Sequence, residues 1–270
     1  MKYDLHVHTS FSDGKYDPKD VVRQAIEKGL SGLAITDHDT VSGIHLAIEE
    51  GKEHNNFYII PGIEFSCIYK DEEVHILGYF IDYNNSFLLD TVIQLQNSRY
   101  ERALRIINKL KEIGITLDLD SILQHTSDNN VGRLHIAKAL VEKNVVKNTQ
   151  EAFNKYLGRG KQAYFERFHL SVNEVIDLIK NTGGISVLAH PGLLKDKSII
   201  HHAITCGIDG IECIHSKHNL HEIIIYKTIA RENKLLITGG SDYHGEPNIL
   251  GNYYVGFDSI AAMKERSINV

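Results

Sequence analysis

Nine side chains that bind metal ions well recur along this 270-residue chain: His6, His8, Asp13, His38, Glu64, His75, His190, Asp242 and His244. Six are imidazoles and three are carboxylates. A mixed set without thiolate favours Mn²⁺, Zn²⁺ or Fe²⁺ over Ca²⁺ or Mg²⁺. It exceeds the coordination needs of one ion and suits two or three. Ions held in this way activate water and neutralise the charge that develops on oxygen during hydrolysis.

Taken singly, the motifs are modest. In LHVHTSFSDG, His6 and His8 point to one face of a strand, and Asp13 beyond them reaches a second ion. A lone HxH is weak evidence in a chain with 16 histidines. His38 lies in TDHDT, where Asp39 or Thr40 would also suit a helix cap. Glu64 lies in PGIEF, His75 in EVHILGY, His190 in LAHPG, and Asp242 with His244 in GGSDYH. Pro191 fixes the turn after His190. Gly239 and Gly240 let the backbone pass close to the site.

The elements that must carry these residues give them their weight. Val/Ile/Leu-rich runs predict strands at Tyr3–Val7, Gly32–Thr36, Tyr58–Gly62, Val74–Tyr79, Ile185–Ala189, Gly210–Cys213 and Leu235–Thr238. Helical patterns lie between them, the signature of βα units and a mostly parallel sheet. Asp17 and Pro18 open the first helix and Gly29 closes it. Another covers Ser42 to about His54, and later ones lie near Val172–Asn181, Ser198–Cys206 and His218–Glu232. Nearly every ligand follows a strand, so six strand ends converge on one rim. In barrels the C-terminal rim is where active sites are built.

The rhythm breaks between about residues 90 and 170. Leu95, Ala103, Ile106, Ile107, Leu110 and Ile113 recur at helical spacing. Shorter patterns follow near Leu119–His125, Leu134–Lys143 and Gln150–Tyr156, with no convincing strand. The expected division is a barrel from 1–90 and 171–270, with an all-helical insertion over 91–170 between the fourth and fifth strands. Arg133 and His135 in GRLHIAKAL, and Arg159 and Lys161 in the Gly-rich YLGRGKQAYF, fall in this insertion. Arginine grips phosphate through two donors and lysine adds a point charge. Over a metal rim these four residues would bind a phosphorylated ligand.

Composition narrows the classes. The formal charge is -6, from 29 basic and 35 acidic residues, so any nucleic-acid contact is local. Cys67, Cys206 and Cys213 are scattered without CxxC, as reduced thiols in a cytoplasmic protein would be. From the strand-like start no signal peptide is expected. No apolar run approaches the roughly 20 residues of a membrane span. The chain is expected to be cytoplasmic, without membrane association or an obligate protein partner. No GxSxG elbow or P-loop occurs.

The segments HVHTSFSDG, TDHDT, PGIEFS, VHILGY, LAHPG and GGSDYHG resemble the motifs of the PHP (polymerase and histidinol phosphatase) phosphoesterases along the whole chain. The resemblance implies a distorted (β/α)7 barrel with an all-helical insertion and a trinuclear site. It implies a first ion on His6, His8, Glu64 and Asp242, and a second on Asp13, His38 and His244. A third would sit on Glu64, His75 and His190, with Glu64 bridging. GRLHIA and YLGRGKQAY resemble one subgroup, whose members are 3′,5′-nucleoside bisphosphate phosphatases and 5′-to-3′ exonucleases on short RNA or DNA. His218, in HSKHNL with His215 and Ser216, resembles a position beside the scissile phosphate that could protonate the leaving oxygen. His45, His54, His125, His169, His201, His202 and His221 have no such context and read as surface or core residues.

The expected function is therefore hydrolysis of nucleotide phosphate esters by a water activated between two or three divalent ions, Mn²⁺ ahead of Zn²⁺ or Fe²⁺. The substrate would be a nucleotide or a short 5′-phosphorylated oligonucleotide. Three alternatives stand beside it. A histidinol-phosphate phosphatase would not need a second phosphate grip. An amidohydrolase typically adds a bridging lysine and lacks the Asp-x-His pair. A non-catalytic module attached to a DNA polymerase would not need a complete ligand set.

Overall fold

Short β-branched runs form the strands, and the computed structural model describes them within residues 1–54, 57–123 and 130–268. β1 (Tyr3–Val7), β2 (Gly32–Ile35) and the first part of β3 (Tyr58–Tyr69) pair in parallel. β3 does not stop at Gly62. It turns through Lys70, at φ 53, into β4 (Glu72–Tyr79), and the two pair antiparallel from Gly62–Tyr79 to Tyr69–Glu72. A parallel neighbour would need a crossover of about a dozen residues, and the chain between β3 and β4 has no room for one. The expected mostly parallel sheet thus contains one reversed strand.

β5 (Leu170–Ser171) adds two residues beside β3, at the end of the stretch expected to lack strands. β6 (Ile185–Leu188) pairs antiparallel with β4, and β7 (Gly210–His215) and β8 (Leu236–Gly240) continue in parallel. The path β1-β2-β3-β4-β6-β7-β8 nearly closes on itself. The His8 amide donates to the Tyr243 carbonyl at 2.9 Å and the Tyr243 amide to the His6 carbonyl at 3.3 Å. This is a distorted seven-stranded α/β barrel, as expected.

α1 (Pro18–Glu27) starts as its sequence dictates: the Asp17 carboxylate accepts the Lys19 amide, Pro18 occupies the first turn, and Gly29 follows at φ 74. α2 (Ile44–Lys52) packs against α1 and β3. α3 (Ser86–Glu112) is longer than its pattern and runs through residue 90 without a break. Its Leu88, Val92 and Leu95 belong to the barrel core, while Ala103, Ile106 and Leu110 join a separate cluster with Ile136, Leu140 and Leu157. That cluster also receives side chains from α4 (Leu119–Leu123), α5 (Arg133–Glu142) and α6 (Thr149–Ala152), which a five-residue π turn extends. The end of the expected pattern Leu119–His125 lies outside the described residues. α7 (Val172–Asn181), α8 (Ser198–Thr205) and α9 (Leu220–Glu232) separate the late strands, and α10 (Phe257–Arg266) closes the chain. Among the described residues no helix is long and apolar enough to cross a membrane.

Candidate metal centre

Strand ends and the turns after them carry the nine residues to one place. The Asp4 carboxylate accepts the amides of His6, Ser241 and Gly251, and so ties the first strand to the loop after the last. Gly240 makes that approach possible, since a Cβ there would lie 2.4 Å from the His6 amide nitrogen. The Asp37 carboxylate takes the Thr9 amide and the hydroxyls of Thr9 and Ser12, which fixes the loop bearing Asp13. His190 and Asp242 hold left-handed backbone at φ 26 and 55. Strained conformations of this kind cluster at functional sites. His75 arrives from the reversed strand, and Glu64 lies inside β3 rather than after it, because the hairpin prolongs that strand.

Glu64 is the pivot. Its Oε2 lies 3.2 Å from His6 Nε2, 3.2 Å from His8 Nε2 and 3.1 Å from His38 Nδ1. Its Oε1 lies 2.9 Å from His75 Nδ1 and 3.0 Å from His190 Nε2. Asp242 Oδ1 is 3.4 Å from His6 Nε2 and 3.2 Å from His8 Nε2, and Asp13 Oδ1 is 3.1 Å from His244 Nε2. Many of these atoms are buried without a hydrogen bond: His6 Nε2, both His8 nitrogens, Asp13 Oδ1, His38 Nδ1, Glu64 Oε2 and His75 Nδ1. Orphaned donor atoms of this kind signal a missing partner. A tetrahedral ion with bonds of about 2.1 Å sets its ligand atoms roughly 3.4 Å apart, close to the spacings seen.

Three groupings match a metal's needs, each with its ligand atoms within 4.8 Å of one another: His6, His8, Glu64 and Asp242; His8, Asp13, His38 and His244; and His38, Glu64 and His75. His190 joins the last through Glu64. A fourth grouping, His6, Glu212 and His215, was not foreseen. The buried Glu212 carboxylate accepts from His6 Nδ1 at 3.1 Å and from the His190 amide at 2.8 Å. His215 Nε2 lies 3.4 Å from Asp242 Oδ2. A bulge between Glu212 and Ile214 brings Glu212 and His215 to the same face although they are three apart. A charge in the middle of the apolar run GIECIH was the available signal for Glu212.

Burial alone would raise the Glu64 carboxyl, but His38, His6 and His75 outweigh it and hold it well below the usual range. Asp242 and Asp13 are likewise held low against burial, Asp242 chiefly by His6 and Asp13 by His244 and His38. The reciprocal effect lifts His75 to about 10, where Glu64 overcomes burial, and His244 to about 10, where Asp13 does. His38 goes the other way, to about 3, because burial dominates. The carboxylates and the imidazoles of His75 and His244 thus hold one another charged, with His38 the exception.

The remaining expected residues are spread around the centre. His218 stands behind His215, ring centroids 5.1 Å apart, with Nδ1 bonded to the Cys213 carbonyl and Nε2 accepting the Gly192 amide. Arg133 donates to Glu73 at 2.7 Å, and Glu73 is 3.7 Å from His75 Nε2. Arg159 is exposed, binds Asp71, and lines the same cavity as Arg133. His135 accepts the Gly132 amide and lines a different cleft, beside His244. Lys161 is exposed in the loop after Arg159. The structure therefore groups Arg133 with Arg159 but not with His135 or Lys161. Asp39, which suited a helix cap, instead accepts the Ser66 amide and pairs with Arg99 and Arg167.

Known proteins share this architecture. A Bifidobacterium adolescentis protein proposed to be a metal-dependent phosphoesterase superposes with a TM-score of 0.90 at 31% identity, over 99% of this chain and 97% of that one. The Escherichia coli 5′-3′ exoribonuclease Rnm is 33% identical over 90% of this chain and 85% of its own. The 3′,5′-nucleoside bisphosphate phosphatase of Chromobacterium violaceum is 30% identical over 89% of this chain and 86% of its own. The PHP domain profile matches residues 4–175, from β1 to the start of α7, and so takes in six of the nine clustered residues, His6 to His75, and the helical segment beyond them. By descent, as by the geometry of its centre, the chain belongs to the PHP domain family.

Proposed function

We propose that the chain is a metal-dependent phosphoesterase of nucleotides, a 3′,5′-bisphosphate 3′-phosphatase or a 5′-to-3′ exonuclease on short oligonucleotides. The carrying observation is the convergence of imidazole and carboxylate atoms, orphaned and at ligand spacing, on the bridging position of Glu64. His6, His8, Glu64 and Asp242 would hold one ion, Asp13, His38 and His244 a second, and Glu64, His75 and His190 a third. Mn²⁺ suits this set first, then Zn²⁺ or Fe²⁺. Bound there, the ions would supply an activated water and stabilise charge on the phosphoryl oxygens.

The protein's own groups do the rest. Glu212 orients His6 and the His190 backbone. Arg133 grips a second phosphate once Glu73 releases it, with Arg159 at the cavity mouth, while His135 would reach substrate only from the separate cleft beside His244 and Lys161 from the exposed loop after Arg159. His218 can protonate the leaving oxygen only by giving up the Gly192 amide. His215 is better set, because its Nδ1 accepts the Lys217 amide and so leaves the proton on Nε2, facing Asp242.

The reading is tested by stripping the protein of metal, restoring Mn²⁺, Zn²⁺ or Fe²⁺, and following three substrates. A nucleoside 3′,5′-bisphosphate and a short 5′-phosphorylated RNA should both be cleaved, and a nucleoside 3′-monophosphate poorly. Silence on all three with every metal would reject it and leave the non-catalytic module.

A further inference from the structure

Four arginines gather where the helical segment meets the β3–β4 hairpin: Arg99, Arg102, Arg133 and Arg167. They share two carboxylates. Asp39 Oδ2 takes Arg99 at 2.5 Å and Arg167 at 3.2 Å, and Glu73 Oε2 takes Arg133 at 2.7 Å. Arg102 is 5% exposed, and among the described residues it has no hydrogen bond or ion pair. Burial, followed by repulsion from Arg99, Arg167 and Arg133, holds its pKa well below the ordinary arginine range. Beside it His169, set aside in the sequence, has a buried Nδ1 without a partner. Desolvation and Arg167 lower that imidazole to about 4.

Of these groups Arg102, Arg133 and His169 face a cavity of about 470 Å³, walled also by Arg159, Tyr164 and Lys195, while Arg99 and Arg167 stand behind it. The acidic side chains on the same wall are already engaged. Asp71 binds Arg159, Asp196 binds Lys70, and Glu72 takes the amides of Lys195 and Asp196. Four guanidiniums against two carboxylates leave two positive charges unmatched, and burying unpaired charge is costly. A phosphomonoester brings about -1.5 to -2 at pH 7 and three acceptor oxygens. Glu73 reaches from Arg133 to within 3.7 Å of His75 Nε2, so the cavity lies one carboxylate away from the metal cluster.

We infer that this cavity is the subsite for the substrate's second, uncleaved phosphate, that Arg102 is its central donor, and that Glu73 is a resident counter-ion the phosphate displaces from Arg133. The inference rests on the nucleotide phosphoesterase reading and assigns to it a place and a residue.

The first test uses metal-free protein and inorganic phosphate, followed by calorimetry and thermal melting. Wild type should bind phosphate and melt higher with it. Arg102→Met should lose at least tenfold in affinity, yet melt no lower than wild type when phosphate is absent, because an unpaired cation has been replaced by an apolar chain. Arg102→Lys, which keeps the charge without the fork, should fall between. The second test uses metal-loaded protein. The preference for a 3′,5′-bisphosphate over a 3′-monophosphate should drop at least tenfold in Arg102→Met, through KM rather than kcat. Unchanged phosphate affinity in Arg102→Met, or a lower melting point without phosphate, would overturn the subsite. Lost phosphate affinity with an unchanged substrate preference would overturn its assignment to substrate. If wild type cleaves no nucleotide, the broader reading fails, while the metal-free titration still judges the cavity.

Discussion

Glu64 offers two oxygens to five imidazoles, and no other side chain is so surrounded among the described residues. Its chemistry predicts how the centre loads. At pH 7 His75 and His244, both lifted to about 10, and His6, which Glu64 and Glu212 hold well above its usual value against burial, carry protons that ions must expel. Metal binding should therefore release about three protons, seen in calorimetry as heat that varies with the buffer's ionisation enthalpy. A buffer-independent heat would contradict this. Stability follows the same sign. These imidazoles have raised folded pKa values, so their contribution is complete below 6.5 and fades as pH climbs toward 10. Metal-free protein should accordingly lose melting temperature between pH 7 and 10. Glu212→Gln should weaken metal affinity by about 10- to 100-fold, measured by chelator competition, and a loss below about twofold would leave Glu212 without a part in the centre. The nine clustered residues were legible because motif after motif placed a ligand type within or just after a strand. Glu212 was not, and His215 was noticed only beside His218, because a bulge invisible in the sequence decides which way both face.

Individual elements transmit the positions. The β3–β4 hairpin was unreadable as such: FSCIY is followed by Lys70 and Asp71, with none of the Asn-Gly signals that announce a tight turn. It nevertheless sets Glu64, which pairs with Leu77, and His75, which pairs with Ser66, diagonally on one face. α3 was legible by its period but not in its length, and its value lies in Arg99, which fastens the helix to Asp39 next to His38. Arg99→Ala should cost about 3 kcal/mol in urea unfolding, because Asp39 stays buried with Arg167 as its remaining ion pair. A cost below about 1 kcal/mol would show that the pair merely decorates the contact. As a contrast, Asp17→Ala should remove the α1 cap at about 1 kcal/mol and leave metal affinity unaltered. A change in metal affinity there would mean that α1 acts on the centre through the loop from His8 to Asp13.

Across the whole molecule, the barrel class was readable from alternating strands and helices, whereas the reversed strand and the helix crossing residue 90 depend on packing no local pattern records. The barrel's seam is the other global feature. β1 and the chain after β8 meet through the backbones of His6, His8 and Tyr243, all beside the ligands. Removing the metal with a chelator should speed amide exchange at His8 and Tyr243 more than at the β2–β3 pairing, and equal effects would argue that the seam is independent of the centre. The seam also dictates timing. During synthesis His6 and His8 emerge first, while Asp242 and His244 wait for almost the entire chain. A ribosome-bound fragment that stops before Gly240 would lack Asp242 and His244, and with them part of the shell of two of the three proposed ions. Closure of the seam and completion of those two shells are thereby joined in one event.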